Sequence, residues 1–172
     1  MTINPVPDLI VGSIHDVTPD VLEQRGIKGL LVDLDNTLAC YNESEPSEDV
    51  IDWVRTINDS GVKISIISNN SQERVDQFNK KLGLEYNVGR AHKPFKRVFL
   101  QVAKTMGLDV DKVAVLGDQI YTDVLGGKGA KMYTIMILSK DRTWNALLAL
   151  RRALEMPFIK AYERRRRHGK AA

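Results

Sequence analysis

The chain has 172 residues, 43% of them hydrophobic and 27% charged, with a formal net charge of +3. That length suits a single domain spanning 1–172 with a sizeable core, and no apolar run approaches the ~18 residues a membrane span needs, which leaves a soluble globular class. One cysteine, Cys40, excludes an internal disulfide, and His15, His92 and His168 lack the spacing of a zinc site, so any metal is expected on oxygen ligands.

In chain order, MTINPVPDLIVGS lacks a basic stretch followed by a long apolar one, so a cytoplasmic protein is expected. The apolar run KGLLVDL predicts a strand over 28–34. Ser47 then caps a helix that places Val50, Val54 and Ile57 on one face and stops at Gly61. KISII predicts a strand over 63–67, and Ser71 caps a helix bearing Val75, Phe78 and Leu82 before Gly83. A strand at 85–88 follows, then a helix from about Phe95 through Phe99, Val102 and Met106 to Gly107. Strands at 113–117 and 132–137 complete five, separated by helices, which is the pattern of an α/β fold with a parallel sheet covered on both faces.

The last segment differs in character. Residues 140–172 hold ten Lys/Arg against three Asp/Glu, a net of +7, so the first 139 carry −4 of the overall +3. Leu147, Leu150 and Leu154 predict a helix packed on the sheet and ended by Pro157. A basic tail over 158–172 is expected beyond it, with Phe158, Ile159 and Tyr162 followed by Arg164–Arg167 and Lys170.

Ligands in open α/β sheets bind outside the carboxyl ends of the strands, and the residues there are polar. Asp33 and Asp35 follow the first strand, Ser68, Asn69 and Asn70 the second, and Asp118 the fourth. In extended chain, residues two apart point the same way, so Asp33 and Asp35 enter one crevice. Three carboxylates at one sheet edge repel each other unless a cation neutralises them, and an oxygen-only donor set favours Mg²⁺.

DLDNT at 33–37, Ser68, Lys93 and GDQIYTD at 117–123 stand in that order along the chain. The series resembles the four motifs of the haloacid dehalogenase-like (HAD) phosphohydrolases. KGLLVDLDNTL, SNN, KP and GDQIYTDVLGGKGA are similar to the YqeG-type, subclass IIIA branch, some of whose eukaryotic relatives are phosphatidylglycerophosphatases. The likeness covers roughly residues 15–138 and implies a Rossmann-like three-layer sandwich around a mostly parallel sheet. It also implies roles. Asp33 is the nucleophile that forms an aspartyl-phosphate, and Asp35 is the general acid and base. Asp33, Asp118 and the backbone carbonyl of Asp35 hold Mg²⁺. Ser68 and the following amide at Asn69 bind phosphate oxygens, as do backbone amides at Asn36 and Thr37. Lys93 supplies positive charge to the transferring group, and Asp123 supports that lysine or the metal's waters.

Each residue also has a plainer reading. Asp33, Asp35 and Asp118 are acceptable turn or cap acids, the Ser68–Asn70 run is ordinary turn chemistry, Lys93 is a loop lysine, and Asp123 makes a structural hydrogen bond. The intervals from Asp33 to Ser68 and from Ser68 to Lys93 are 35 and 25 residues, each holding one helix, so no cap domain fits. An uncapped site is open to large or membrane-embedded substrates. The resemblance therefore implies an Mg²⁺-dependent phosphomonoester hydrolase, with phosphatidylglycerophosphate among its candidate substrates. The alternatives are a phosphatase of a protein, nucleic acid or soluble metabolite, or a non-catalytic RNA- or protein-binding module. Arg164–Arg167 and Lys170 behind aromatic residues suit an anionic membrane's inner face, nucleic acid could use the same charges, and a solvated terminus is the plain alternative.

Overall fold

The structure, a computed structural model, describes residues 4–138 and 146–169, with side chains described to 138 and over 153–167. Six strands form one sheet: β1 (Leu9–Val11), β2 (Gly29–Val32), β3 (Lys63–Ile67), β4 (Tyr86–Val88), β5 (Val113–Gly117) and β6 (Tyr133–Ile137). Their order is β1-β6-β5-β2-β3-β4, and every pairing is parallel. The α/β class and the parallel sheet are as expected, with one strand more than the five anticipated. The extra strand, LIV, is too short to show a period, and it exists because β6 offers it a parallel partner, Leu9 opposite Ile135.

Helices α1 (Pro19–Glu23), α2 (Glu48–Asp59), α3 (Gln72–Leu82), α4 (Lys96–Thr105) and α5 (Leu125–Gly129) connect the strands. The Ser47 and Ser71 hydroxyls accept from the amides of Val50 and Arg74, three residues on, as N-caps do. Gly83 ends α3 at φ 64°, a left-handed position that a side chain would disfavour. Alternate residues of the central strands supply two cores. Leu30, Val32, Ile64 and Ile66 pack with Val54, Ile57, Val75 and Phe78 of α2 and α3. Leu31, Ile67, Val113 and Val115 pack on the other face with Phe99, Val102 and Ala103 of α4. The result is three layers, helix on sheet on helix. Trp53 is buried in the first core and donates through Nε1 to the Val17 carbonyl at 3.0 Å.

The C-terminal helix, α6 (Ala146–Gly169), corrects the expectation for Pro157, which lies inside it. A proline there removes one backbone hydrogen bond and costs about 3 kcal/mol in an isolated helix. Contacts on both sides offset that cost, since Glu155 before it and Ile159 after it are both buried against the body. Leu154 is exposed, so it does not pack on the sheet, and the side chains of Trp144, Leu147, Leu150 and Lys170 lie outside the described residues. Arg164–Arg167 are exposed along the last turns of the same helix. Among the described residues, no helix is long and apolar enough to cross a membrane.

Candidate active site

The strand order reverses about β2: the chain moves outward through β3 and β4, then returns to lay β5 on the other side. A crevice opens at such a point, past the carboxyl ends of the strands. Asp33 directly follows β2 and Asp118 directly follows β5. The Asp33 amide still donates to the Leu116 carbonyl at 2.9 Å, so the ladder that builds the sheet also fixes this side chain's origin.

The floor of the crevice is a buried charge cluster. Lys93 Nζ donates to Asp33 Oδ1 and to Asp123 Oδ1, both at 2.6 Å, and to the Ile67 carbonyl at 2.9 Å. An ammonium has three protons, and all three are engaged. Lys93, Asp33, Asp118 and Asp123 are each at most 7% exposed. Burial pushes the Asp33 carboxyl up to about 8 against the pull of Lys93, with Asp123 and Asp118 raising it further. Burial works to lower Lys93, but Asp123 and Asp33 outweigh it and hold the ammonium above the ordinary lysine range. Carboxylate oxygens of Asp33, Asp118 and Asp123 lie within 4.8 Å of one another. Three carboxylates against one ammonium leave an excess of two negative charges when all are ionised, and the donors are all hard oxygens. That set fits a divalent cation such as Mg²⁺. Asp123 already serves Lys93 with one oxygen and the Gln119 amide and Thr122 hydroxyl with the other, at 3.2 and 3.3 Å.

The wall is less buried. Asp35 Oδ2 accepts from Asn70 Nδ2 at 2.9 Å, and Oδ1 from Arg74 Nη2 at 3.3 Å. Ser68 Oγ accepts from the Asn70 amide at 3.1 Å, which leaves its own proton to donate into the crevice. Asn69 clamps the next loop: its Oδ1 accepts from the Lys93 amide at 2.7 Å and its Nδ2 donates to the Lys93 carbonyl at 3.2 Å. Its side chain holds Lys93 in place.

Asp33, Asp35, Asn36, Ser68, Asn69 and Lys93 line one cleft of about 420 Å³, together with Tyr41, Asn70, Gln119 and Thr122. Asp118 and Asp123 are fully buried near Asp33. Thr37 lies elsewhere, in the wall of an adjoining pocket with Cys40 and His15. The Asn36 and Thr37 amides also depart from expectation. They donate to the Ala39 and Leu34 carbonyls, because the chain after Asp35 closes a tight turn with Asn36 at φ 63°. Sequence reading missed Arg74 and the role of Asn70. The available signal was position: Arg74 lies in the first turn of the helix that follows the polar run after β3.

Residues 11–131 match the haloacid dehalogenase-like hydrolase family. The chain is similar to the probable phosphatase YqeG of Bacillus subtilis (strain 168), with 32% identity covering 93% of this chain and 92% of that protein. A shorter match, 42% identical over 55 residues, reaches the 5'-nucleotidase YutF of the same organism, covering 32% of this chain and 21% of that protein. Among solved structures, a HAD phosphatase from Thermococcus onnurineus superposes with a TM-score of 0.57 at 16% identity, covering 74% of this chain and 98% of the other. An uncharacterized protein from Listeria monocytogenes serotype 4b gives 0.54 at 14% identity, covering 69% and 85%. Both likenesses concern the fold. The chain belongs to the haloacid dehalogenase-like hydrolases, on the YqeG-type branch of that family.

Proposed function

We propose that the chain is an Mg²⁺-dependent phosphomonoesterase that works through a phosphoryl group carried on Asp33, with the phosphate of a phospholipid, phosphatidylglycerophosphate, as its substrate. One observation carries the reaction class: two carboxylates two residues apart open on one cleft in unlike surroundings, one against a buried ammonium and the other against a guanidinium. Two identical acids in different settings suit two different tasks.

Lys93 holds Asp33 Oδ1, which leaves Oδ2 to attack phosphorus. The ester P–O bond breaks as the Asp33–phosphorus bond forms, and Asp35 gives its proton to the departing alcohol. Water then attacks the same phosphorus. Asp35 takes the water's proton, the acyl phosphate bond breaks, and inorganic phosphate leaves with Asp33 restored. Ser68 donates to a phosphate oxygen, and Lys93 balances charge on the floor. Asp33 and Asp118 would hold Mg²⁺, which would supply positive charge to offset the repulsion between nucleophile and phosphate.

The lipid substrate is supported by the open cleft, by the YqeG-type resemblance and by the exposed Arg164–Arg167 run. Each basic residue near an anionic surface contributes about 1 kcal/mol, less where salt screens it. The test begins with Mg²⁺-dependent hydrolysis of an aryl phosphate by the wild type and by Asp33→Asn, whose amide is a poor nucleophile. The expected loss is at least ~10³-fold. Normal turnover in that variant rejects the covalent route. A set of phosphate esters including phosphatidylglycerophosphate in vesicles then tests the substrate, with the lipid expected to give the highest kcat/KM. Replacing Arg164–Arg167 by glutamine should weaken vesicle binding while leaving aryl phosphate turnover unchanged.

A further inference from the structure

Asp123 lies in a π-helical turn, Ile120–Val124, that begins two residues after Asp118. Inside the turn, the Asp123 and Val124 amides both reach the Gln119 carbonyl, and Asp123 Oδ2 takes the Gln119 amide. The next amide, that of Ile120, is buried at the start of the turn and donates to Oε1 of Glu155 at 3.2 Å, 35 residues away on α6. Glu155 is 1% exposed. A carboxylate is costly to bury, and the Ile120 amide is one of the groups that meets this one.

Further contacts join the same two elements. The Tyr121 hydroxyl donates to the Leu154 carbonyl at 2.9 Å, and its ring meets Phe158 edge-on, with centroids 6.1 Å apart. Ile120 and Val124 share a buried apolar cluster with Ile159 of α6 and Met136 of β6. On its other side the turn presents Asp123 to Lys93 and, through Lys93, to Asp33. Gly117, just before Asp118, lets the Asp123 carboxyl approach its backbone closely, since a Cβ there would meet that carboxyl at 2.3 Å. The family match ends at residue 131, so α6 lies beyond it.

We infer that α6 is part of the catalytic scaffold and that Glu155 is a positioning residue: by receiving the Ile120 amide it fixes the turn that presents Asp118 to the cation and Asp123 to Lys93. This rests on the proposed role of those two aspartates. Glu155 touches no reacting atom, and its effect passes through the turn.

The test compares the wild type with Glu155→Ala, Glu155→Gln, Tyr121→Phe and, as a control, Leu154→Ala, whose exposed side chain leaves the backbone carbonyl in place. Amide hydrogen exchange over residues 118–124 reads the turn directly. Mg²⁺ half-saturation and kcat on an aryl phosphate read its consequences. Glu155→Ala should raise exchange in the turn at least ~10-fold, raise the Mg²⁺ half-saturation by a similar factor and lower kcat with little change in KM. Glu155→Gln keeps an oxygen acceptor for the Ile120 amide and should restore most of all three. Tyr121→Phe should show a smaller effect of the same kind, and it serves if Glu155→Ala does not fold. Wild-type exchange and Mg²⁺ response in both Glu155→Ala and Tyr121→Phe would overturn the inference, as would Glu155→Gln behaving like alanine. If the wild type hydrolyses no phosphate ester, the functional reading falls, while the exchange comparison still decides whether Glu155 positions the turn.

Discussion

The floor and the wall of the cleft begin two residues apart on one chain and are built on different physics. Asp33 sits in the floor at 5% exposure, within a cluster of three carboxylates and one lysine. Asp35 sits in the wall, its side chain 15% exposed, and its two partners, Asn70 and Arg74, come from the start of α3. The floor joins residues from the segments after three strands, β2, β4 and β5, and concentrates charge that is costly to bury. The wall makes pairings that many partly exposed surfaces could make. The difference suits the two roles proposed for them: a nucleophile needs a fixed, dry setting, and an acid/base needs orientation with access to water.

The strongest way to break this contrast is to remove the floor's one cation. Lys93→Ala leaves Asp33 and Asp123 buried without their ammonium, and breaking a buried pair in this way costs about 3–5 kcal/mol. Turnover should fall by ~10²-fold or more. Urea unfolding and aryl phosphate assays measure the two effects. A loss below about 1 kcal/mol at neutral pH would mean the floor is not a coupled unit.

Much of that floor was legible in the sequence because its parts sit at strand ends. Asp33 and Asp118 of the floor, and Ser68 of the wall, fall where an α/β sheet places ligand-binding groups, and the resemblance to the family's motifs added Lys93. What was not legible depends on where helices turn. Arg74 reaches Asp35 across 39 residues because Ser71 starts α3 at the angle that points its first turn at the cleft. Glu155 carried no signal in the sequence, and only docking of α6 buries it. Pro157 reads as a stop by local rules, but tertiary contacts on either side override them. The Asn36 and Thr37 amides read as phosphate donors by position, and the tight turn that follows Asp35 engages them.

The wall gives the intermediate effect. Asp35→Asn should lower kcat by ~10²–10⁴-fold while KM stays within a few-fold, since the variant keeps its phosphate contacts and loses its proton. Arg74→Ala should lower kcat by only ~10-fold and stability by about 1 kcal/mol, the scale of a partly exposed pair. If Arg74 acts through Asp35, adding Arg74→Ala to Asp35→Asn should change kcat little further. Full additivity in that double variant would mean Arg74 meets the substrate itself.

The contrast also sharpens through pH. Without metal, the Asp33 carboxyl titrates near 8 in the folded protein against an ordinary value of 3.8, because burial disfavours its charge. Between those values the folded chain keeps a proton that the unfolded chain has released. Stability must therefore fall as pH rises across that window and level off above it, opposite in sign to a salt-bridged surface aspartate. Lys93 does not cancel this. Its raised pKa contributes stability that is fully present below 10.5 and is lost only on the alkaline side. Urea midpoints for wild type and Asp33→Asn in EDTA, taken between about pH 4 and pH 9, measure it. The wild type should lose stability relative to the variant as pH rises. Mg²⁺ should flatten the wild-type curve by favouring the ionised carboxyl and leave the variant's curve nearly unchanged. Parallel curves in EDTA would mean that Lys93 keeps Asp33 ionised throughout, and the floor would then be an ordinary buried ion pair.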